Sequence, residues 1–479
     1  MTEHELSLIK KNLDEMSPED AARVMTGLSN AKRLVEIISL IPGSREEYLN
    51  DKEGFIDKYN VNLSVKESDF LIAPSDPDEK IAIISDGKRL AEMPESFFRF
   101  RQFTGNKIVY RNRMIKELCE PQNERMKKWR RRQIKRCDGA LGGLNDSFVH
   151  TVVTYELNTG CSVGCSFCGL DAGPLRKIFR YTPENAKLFR GVLGACHRVL
   201  GDAAGHGMMY FATEPLDNPD YEKFEADHYE EFHIIPQITT AVPDRDIERT
   251  RYFIREITNG RGFIHRFTIR SEEMARKVLE SFSPEELLQV ELLPQFPEAP
   301  AFVPYVKTGR QAEAGNAMTD ADQGTICCVD GFCINFPDRR FRLISPARTD
   351  KTFPKGIYES EWVAFTDAND FEQKLRDYIG DELEQDIPKE GPLRLYNYMS
   401  VGEYKGNSAV ISKYGLAIPM KEKYMERIAR LLEAGDYTRS QIVEIVTDEG
   451  LTAAENAYWY LNRLWDNGCI VEKIFQPND

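Results

Sequence analysis

The sequence predicts a mixed α/β protein in which a parallel sheet stands between two helical regions of the chain. Strand-like apolar runs alternate with helical patterns from residue 152 to about residue 346. Apolar residues recur at helical spacing over residues 1–70, and three helical segments follow residue 421. Because strands that alternate with helices are typical of a parallel sheet, these three patterns predict the fold class.

These patterns divide the 479 residues into five predicted regions. They are a helical N-terminal domain over 1–70, a basic helical connecting region over 71–150, a central α/β region over 151–350, an extension over 351–420 and a winged-helix-like domain over 421–479. No motif in residues 350–415 indicates a structure or a function.

Composition excludes some classes of function. The chain has 63 Lys and Arg against 77 Asp and Glu, a net charge of -14, which disfavours non-specific nucleic-acid binding. No apolar run is long enough to span a bilayer, so no membrane partner is expected. Ten cysteines without a secretion signal indicate a reducing compartment, the cytoplasm.

The N-terminal region has apolar residues at helical spacing, among them Val24, Leu28, Leu34 and Ile37, after a helix start at Ser17-Pro18. We expect a small helical domain. Its commonest role is packing against the central region, and the alternative is recognition of a peptide or protein partner.

A basic segment follows over residues 110–136, and its pattern predicts a helix in a chain that is acidic elsewhere. Its crowded cations are Arg125, Lys127, Lys128, Arg130, Arg131, Arg132, Lys135 and Arg136. We interpret the run first as a solvated helix face and second as a site for an acidic peptide.

Three cysteines lie within eight residues, at Cys161, Cys165 and Cys168. Soft thiolates at this spacing select an iron-sulfur cluster or zinc, and the next cysteine, Cys196, is far along the chain. Three protein ligands would leave one iron of a [4Fe-4S] cluster open. The alternatives are a half zinc site completed by a distant Cys or His, and buried free cysteines.

The central region contains six predicted strands, and the first of them delivers the cysteine loop. The strands are predicted over 152–157, 208–211, 234–241, 266–270, 290–293 and 325–336, with a turn at 337–338 into a further run at 341–344. Helices are predicted over 183–200, 246–257 and 271–282, and Thr182 caps the first of these.

The tail predicts three helices and a final strand over 469–475, an order typical of a winged helix. Residues 421–479 carry seven Lys or Arg and eleven Asp or Glu, a net of -4. Because DNA readers are usually basic, we expect peptide or protein docking there.

The stretch Cys-x3-Cys-x2-Cys, with the aromatic Phe167 directly before the last cysteine, resembles the signature of radical S-adenosylmethionine enzymes. The resemblance implies a [4Fe-4S] cluster on Cys161, Cys165 and Cys168, S-adenosylmethionine on the open iron, and a 5'-deoxyadenosyl radical. It also implies a partial (β/α)6 TIM-like barrel over 151–350, and an electron donor such as flavodoxin or ferredoxin.

In such barrels the active groups lie at the C-terminal ends of the strands. Glu214 lies in Ala-Thr-Glu-Pro where the family usually has Gly-Gly-Glu-Pro, so the resemblance assigns it to the methionine ammonium. The other candidate cofactor contacts at strand ends are Thr213, Gln237, Thr239, Thr240, Arg270 and Ser271, of which the arginine suits the methionine carboxylate.

A narrower resemblance is collective. The pieces at 160–169, 212–221, 236–241, 290–292, 328–332 and 343–346 are similar to radical peptide epimerases of proteusin and related ribosomal-peptide pathways. That resemblance implies a precursor peptide, leader and core, as substrate. Its L-residues would become D-residues by loss of the α-hydrogen and return of one from a cysteine thiol.

Cys328 matches the family's Cys-Val-x-Gly-Phe piece and is the predicted donor, with Cys333 and Cys327 next. Strand alternation points Cys328 opposite to Cys327, unless Gly331 marks a bulge. The alternatives are three small buried side chains, or a second cluster, whose known spacings Cys-Cys-x4-Cys does not match.

Two other functions stay open. One is a different peptide-modifying radical enzyme that forms a thioether or a C–C crosslink. The other is a non-catalytic regulator with a winged helix and a structural iron-sulfur cluster.

Overall fold

The computed structural model describes residues 15–72, 93–258, 264–302, 308–313, 324–351 and 353–475. The chain forms two compact units. The first unit comprises Met1–Asn112 and Gln237–Val303, and the second comprises Arg113–Pro236 and Pro304–Asp479. Residues 1–14 of the predicted helical domain and 73–92 of the predicted connecting region lie outside the described residues.

The helices are α1 (Pro18–Leu40), α2 (Ser44–Asn50), α3 (Lys52–Lys58), α4 (Val65–Ile72), α5 (Glu95–Arg113), α6 (Glu124–Leu141), α7 (Pro183–Leu200), α8 (Tyr221–Phe232), α9 (Ile247–Tyr252), α10 (Glu272–Ser281), α11 (Gly309–Glu313), α12 (Ala368–Asp381), α13 (Lys423–Ala434), α14 (Arg439–Asp448) and α15 (Ala454–Asp466). Shorter 3-10 turns include Pro215–Asp217 and Lys473–Phe475. None of the helices in the described ranges is long and apolar enough to cross a membrane.

The strands are β1 (Thr151–Glu156), β2 (Asn158–Thr159), β3 (Lys177–Ile178), β4 (Thr239–Thr240), β5 (His265–Ile269), β6 (Val290–Pro294), β7 (Val329–Asn335), β8 (Arg340–Pro346), β9 (Ile357–Glu359), β10 (Val363–Ala364), β11 (Pro392–Leu393), β12 (Met399–Tyr404), β13 (Asn407–Ser412), β14 (Ala417–Pro419) and β15 (Tyr437–Thr438). The sheets have the orders β1-β7-β8-β10 with β9 on β8, β4-β5-β6, β12-β13-β14, β2-β3 and β11-β15.

The first unit packs the N-terminal helix α1 onto the parallel sheet β4-β5-β6. Ala31, Leu34 and Ile37 of α1 share a buried core with Phe267 of β5 and Val278 of α10. Two cations of the same helix are buried, and they donate to backbone carbonyls: Lys32 Nζ to Val290 O at 2.7 Å and Arg33 Nη2 to Phe282 O at 2.6 Å. Buried charges are tolerated here because each has a hydrogen-bond partner.

The second unit is built on β1, which pairs in parallel with β7, while β8 returns antiparallel. The pairing register jumps between Thr151 and Val153. A Cβ at Gly331 would lie 1.9 Å from Val152 O, so only glycine allows this approach. Gly331 therefore lies at a bulge in β7, which the sequence analysis had considered as one possibility.

The mixed α/β class is confirmed, but the predicted barrel is not seen as one sheet. The strands described in 151–350 divide among β1-β7-β8, β4-β5-β6 and the short pair β2-β3, and these described residues form no closed barrel. The predicted strand 208–211 is reduced to a single bridge between Met208 and Thr154, and 234–241 is reduced to β4. Short segments of this kind cannot complete a continuous ladder.

The solvated-face interpretation of the basic segment is wrong for three of its arginines. Arg130, Arg132 and Arg136 on α6 are buried. Arg130 donates to His150 O at 2.7 Å, Arg132 forms a bidentate pair with Glu472, and Arg136 donates to Ser345 Oγ at 2.9 Å. The buried face of this helix therefore includes three charged side chains, whose guanidinium groups donate hydrogen bonds to neighbouring elements.

The tail contains the three predicted helices as α13, α14 and α15. The predicted strand 469–475 is wrong, because Ile470 forms only one bridge, to Leu395, before the 3-10 turn Lys473–Phe475. Strands β12 and β13 of the antiparallel sheet β12-β13-β14 lie in the stretch that showed no sequence motif.

The buried pair of Arg132 and Glu472 yields a stability prediction. Its Nε–Oε1 distance is 2.7 Å, and the two side chains are 3% and 1% exposed. Glu472→Ala should lower the unfolding free energy by roughly 3–5 kcal/mol in urea denaturation, because it leaves Arg132 charged and buried. The control Glu372→Ala breaks an exposed pair with Arg198 and should cost about 1 kcal/mol or less. Equal losses in the two variants would contradict this account.

Candidate functional site

The predicted cysteine triplet lies on one closed loop, residues 160–176, which we call the cluster loop. It leaves the C-terminal end of β1 through β2 and returns through β3, and these two short strands pair antiparallel. Inside the loop Cys161 N donates to Gly173 O at 2.9 Å, and Arg176 N donates to Thr159 O at 2.8 Å. The loop is therefore closed by backbone pairing at its base.

Glycine is required where the loop turns most tightly. Gly160 has a φ of +86°, and a Cβ there would lie 2.1 Å from Pro174 O. Gly164 has a φ of +63° with open space around it. Glycine is therefore favoured there by the left-handed backbone conformation, and not by the close approach of another atom. Both glycines therefore allow the bends of the cluster loop.

The three cysteines differ from most other cysteines of the chain in exposure. Cys161, Cys165, Cys168 and Cys328 are half-buried, whereas the other six are buried. Partial burial raises the pKa of Cys161, and the negative charges of Glu214 and Asp217 raise it further, while the Val163 N–H opposes the shift. Half-exposed thiols suit ligands of a reactive centre better than core packing does.

The spacing of the sulfur atoms bears on which metal fits. A tetrahedral zinc with Zn–S bonds of about 2.3 Å would hold its sulfurs roughly 3.8 Å apart. One group of three Cys, His, Asp or Glu side chains in the described ranges has its ligand atoms within 4.8 Å of one another, and it is not the triplet. Soft thiolate ligands select iron-sulfur clusters as well as zinc, so the donor set is compatible with [4Fe-4S].

The closely spaced group is Cys137, His150 and Asp330, all buried. His150 Nδ1 lies 2.5 Å from Asp330 Oδ2, and its Nε2 lies 3.1 Å from Asn145 Oδ1. The Arg136 guanidinium contacts Cys137 Sγ at 3.5 Å, where it would repel a metal cation. This group is a satisfied buried network and not a metal centre.

Glu214 lies on the same edge of the sheet as the cluster loop. The segment 212–214 follows Met208, which bridges β1 in parallel, so both segments leave C-terminal strand ends. Glu214 is buried, its carboxylate accepts the Leu216 N–H at 3.0 Å, and its carbonyl accepts from Asn158 Nδ2 at 3.0 Å. Thr213 beside it is half-buried.

Asp217 ties this segment to the cluster loop, and the sequence analysis missed it. Its carboxylate accepts from Ser162 N at 2.8 Å and from Ser162 Oγ at 2.5 Å. Ser162 stands next to the first cysteine, so the contact holds the entry of the loop. Nothing in the sequence around this aspartate, which follows Glu-Pro-Leu, predicted its contact with Ser162.

Glu156 is a second missed residue, on the last position of β1. One carboxylate oxygen accepts from Ala212 N at 2.9 Å and the other from Asn335 Nδ2 at 3.0 Å. Burial raises the pKa of Glu156, and the bonds to Asn335, Ala212 and Cys333 oppose that shift. A lone acid in an otherwise apolar strand was the available signal.

The three donor candidates lie in different surroundings. Cys327 and Cys333 are buried, and burial raises the pKa of each thiol well above its usual value. Cys328 is half-buried, with its sulfur 3.6 Å from Met208 Sδ. It precedes β7, and Thr151 N donates to its carbonyl, so it lies at the N-terminal edge of the β1-β7 pair.

The remaining candidates belong to the first unit. Gln237 Nε2 donates to Ile264 O at 2.7 Å, and Thr239 and Thr240 form β4. Arg270 is exposed and its Nε donates to Ala241 O at 2.7 Å. Ser271 Oγ accepts from Met274 N at 3.2 Å as the cap of α10. The cofactor roles of these residues stay predictions.

Comparisons with known proteins give one family relation. No family model matches the chain. The uncharacterized protein y4wI of Sinorhizobium fredii is 31% identical over 363 residues, which are 74% of this chain and 70% of that protein. The solved structure of BtrN in complex with AdoMet and 2-DOIA has a TM-score of 0.32 and 13% identity, over 48% of this chain and 82% of BtrN. A TM-score this low does not establish a shared fold.

Proposed function

This chain belongs to the same protein family as y4wI of Sinorhizobium fredii, and we propose that it is a radical S-adenosylmethionine enzyme with a [4Fe-4S] cluster on Cys161, Cys165 and Cys168. The observation that carries the proposal is the triplet itself. Its three half-buried thiols lie on one loop that is closed at its base, and three soft thiolates so close together along the chain suit an iron-sulfur cluster.

Different residues of the second unit have different proposed roles. When bound, the cluster and S-adenosylmethionine supply a 5'-deoxyadenosyl radical that takes a hydrogen atom from the substrate. The cluster loop would hold the cluster through the thiolates of Cys161, Cys165 and Cys168. Glu214, buried at the same edge of the sheet as the cluster loop, would offer a carboxylate to the methionine ammonium. Thr213 adds a hydroxyl at the same strand end.

The finer proposal is peptide epimerisation, L to D, in a ribosomal precursor with a leader and a core. It rests on the collective sequence resemblance. Reduction by flavodoxin or ferredoxin rests on the resemblance to radical S-adenosylmethionine enzymes, and a cytoplasmic location rests on the cysteine content. A product that gains a thioether or C–C crosslink would favour the rival enzyme class. Failure to cleave S-adenosylmethionine after reconstitution would favour the iron-sulfur regulator.

Two observations bear on the hydrogen donor. Accessibility favours Cys328, because Cys327 and Cys333 are buried. Strand polarity favours Cys333, because Cys328 lies ahead of β7, whereas Cys333 interacts with Glu156 at the cluster-loop end of β1. We keep Cys328 as the donor, and the variants below compare the two.

The cluster prediction concerns iron. Anaerobically reconstituted protein should bind about four irons per chain and cleave S-adenosylmethionine. Alanine at Cys161, Cys165 or Cys168 should abolish cleavage and most of the iron, measured by iron assay and electron paramagnetic resonance. Cys196→Ala, at a buried helical cysteine, is the control and should keep both. Full activity in any triplet variant would refute the assignment.

The Glu214 prediction separates charge from capping. Glu214→Gln keeps an oxygen for the Leu216 N–H but removes the charge, and Glu214→Ala removes both. Each should weaken S-adenosylmethionine binding by roughly 1.5–3 kcal/mol in anaerobic calorimetry, with the iron content unchanged. Wild-type affinity in Glu214→Gln would show that the carboxylate is only a cap.

The donor prediction concerns deuterium. In heavy water each converted residue should gain one deuterium at the α-carbon, because the thiol hydrogen exchanges with solvent. Cys328→Ala should still cleave S-adenosylmethionine but yield little D-residue, measured by mass spectrometry and chiral amino-acid analysis.

Cys327→Ala and Cys333→Ala are the matched controls for that test. Normal D-residue from Cys328→Ala together with its loss in Cys333→Ala would move the donor role to Cys333. D-residue without deuterium would refute the thiol mechanism itself.

A further inference from the structure

A short segment far along the chain contacts the cluster loop, and no sequence motif predicted it. The segment is Thr308 to Gln311, which includes the start of α11. Thr308 Oγ1 donates to Gly169 O at 2.9 Å. Gly309 has a φ of +52°, and a Cβ there would lie 2.5 Å from Cys168 O. The segment therefore lies directly against the backbone of the third cysteine.

Arg310 makes the central contacts of this segment. Its backbone N donates to Cys168 O at 3.1 Å, and its Nε donates to Cys165 O at 2.7 Å. Two of the three cysteine carbonyls are thus held by one residue. A planar guanidinium suits this role because its donors have a fixed geometry.

The same guanidinium also contacts the part of the loop that follows the third cysteine. Nη1 donates to Asp171 Oδ1 at 2.7 Å and to Ala172 O at 3.2 Å. Asp171 has a φ of +48°, a conformation that a residue other than glycine keeps only when its surroundings enforce it. Arg310 therefore links the second cysteine, Cys165, to residues 171 and 172 of the same loop.

We propose that Arg310 is a positioning residue for the cluster: it holds the carbonyls of Cys165 and Cys168 and sets a positive charge beside the iron site. This inference rests on the proposed function. Net charge and hydrogen bonding near a cluster influence its reduction potential. A nearby cation stabilises the reduced cluster, so it raises the potential at which an electron donor can deliver its electron.

Three variants test the role by iron content and by the cluster's midpoint potential in anaerobic dye titrations. Arg310→Gln removes the charge and the fork, so iron per chain should fall at least twofold and the potential of the retained cluster should shift downward. Arg310→Lys keeps the charge, so it should lose iron but keep the potential near wild type. Asp171→Asn removes the opposing negative charge, so its potential should shift upward.

Arg198→Gln is the control, because it removes an exposed arginine that pairs with Glu372. It should change neither quantity. Thermal unfolding of each apoprotein checks that the fold is kept. Gly309→Ala displaces the turn against Cys168 O without changing the Arg310 side chain itself. Gly309→Ala should lose iron as Arg310→Lys does.

Wild-type iron content in Arg310→Gln would overturn the positioning role. Iron loss with an unchanged potential in the retained cluster would overturn the electrostatic role. A wild-type protein that binds no iron would instead refute the proposed function, so the two failures are distinguishable.

Discussion

The cluster loop has almost no regular secondary structure, so most of its backbone polar groups must find partners other than those of a helix or a sheet. The pairing of β2 with β3 satisfies the base, and Gly173 accepts the Cys161 N–H. Arg310, Thr308 and Asp217 satisfy much of the rest through side chains. This division leaves the three thiols half-buried, because the groups that hold the loop contact mainly its backbone and not its sulfurs.

The same constraint extends into the sheet through Glu156. A buried carboxylate is costly unless its lone pairs are used, and this one is bonded to Ala212 N and Asn335 Nδ2. It thereby joins the end of β1, the segment that leads to Glu214, and β7. The positions of the loop and of Glu214 relative to each other therefore depend on a polar network inside the second unit.

Buried arginines play a comparable part at the other end of β1. Arg130 donates to His150 O, next to the first residue of the strand, and Arg136 reaches Ser345, which also bonds to Asp330. Arg132 stacks on Trp465 at 4.3 Å and pairs with Glu472 from the tail. A run of cations that suggests a solvent or peptide surface in the sequence is thus partly an internal framework, because guanidinium groups can satisfy several carbonyls at once.

The sequence by itself determined the local features of this protein: the cysteine spacing, the glycine turns, the mixed α/β class, and helices that begin at capping residues such as Ser17 and Thr182. Such features depend on residues close together in the chain. Only the tertiary structure decided that the strands of 151–350 divide among three sheets, that β12 and β13 form in a stretch without a motif, and which cysteines are buried. It also decided that Glu156, Asp217 and Arg310 support the cluster loop. Their contacts join residues far apart in sequence, and hydrogen bonds across such separations leave no periodic pattern from which they could be predicted.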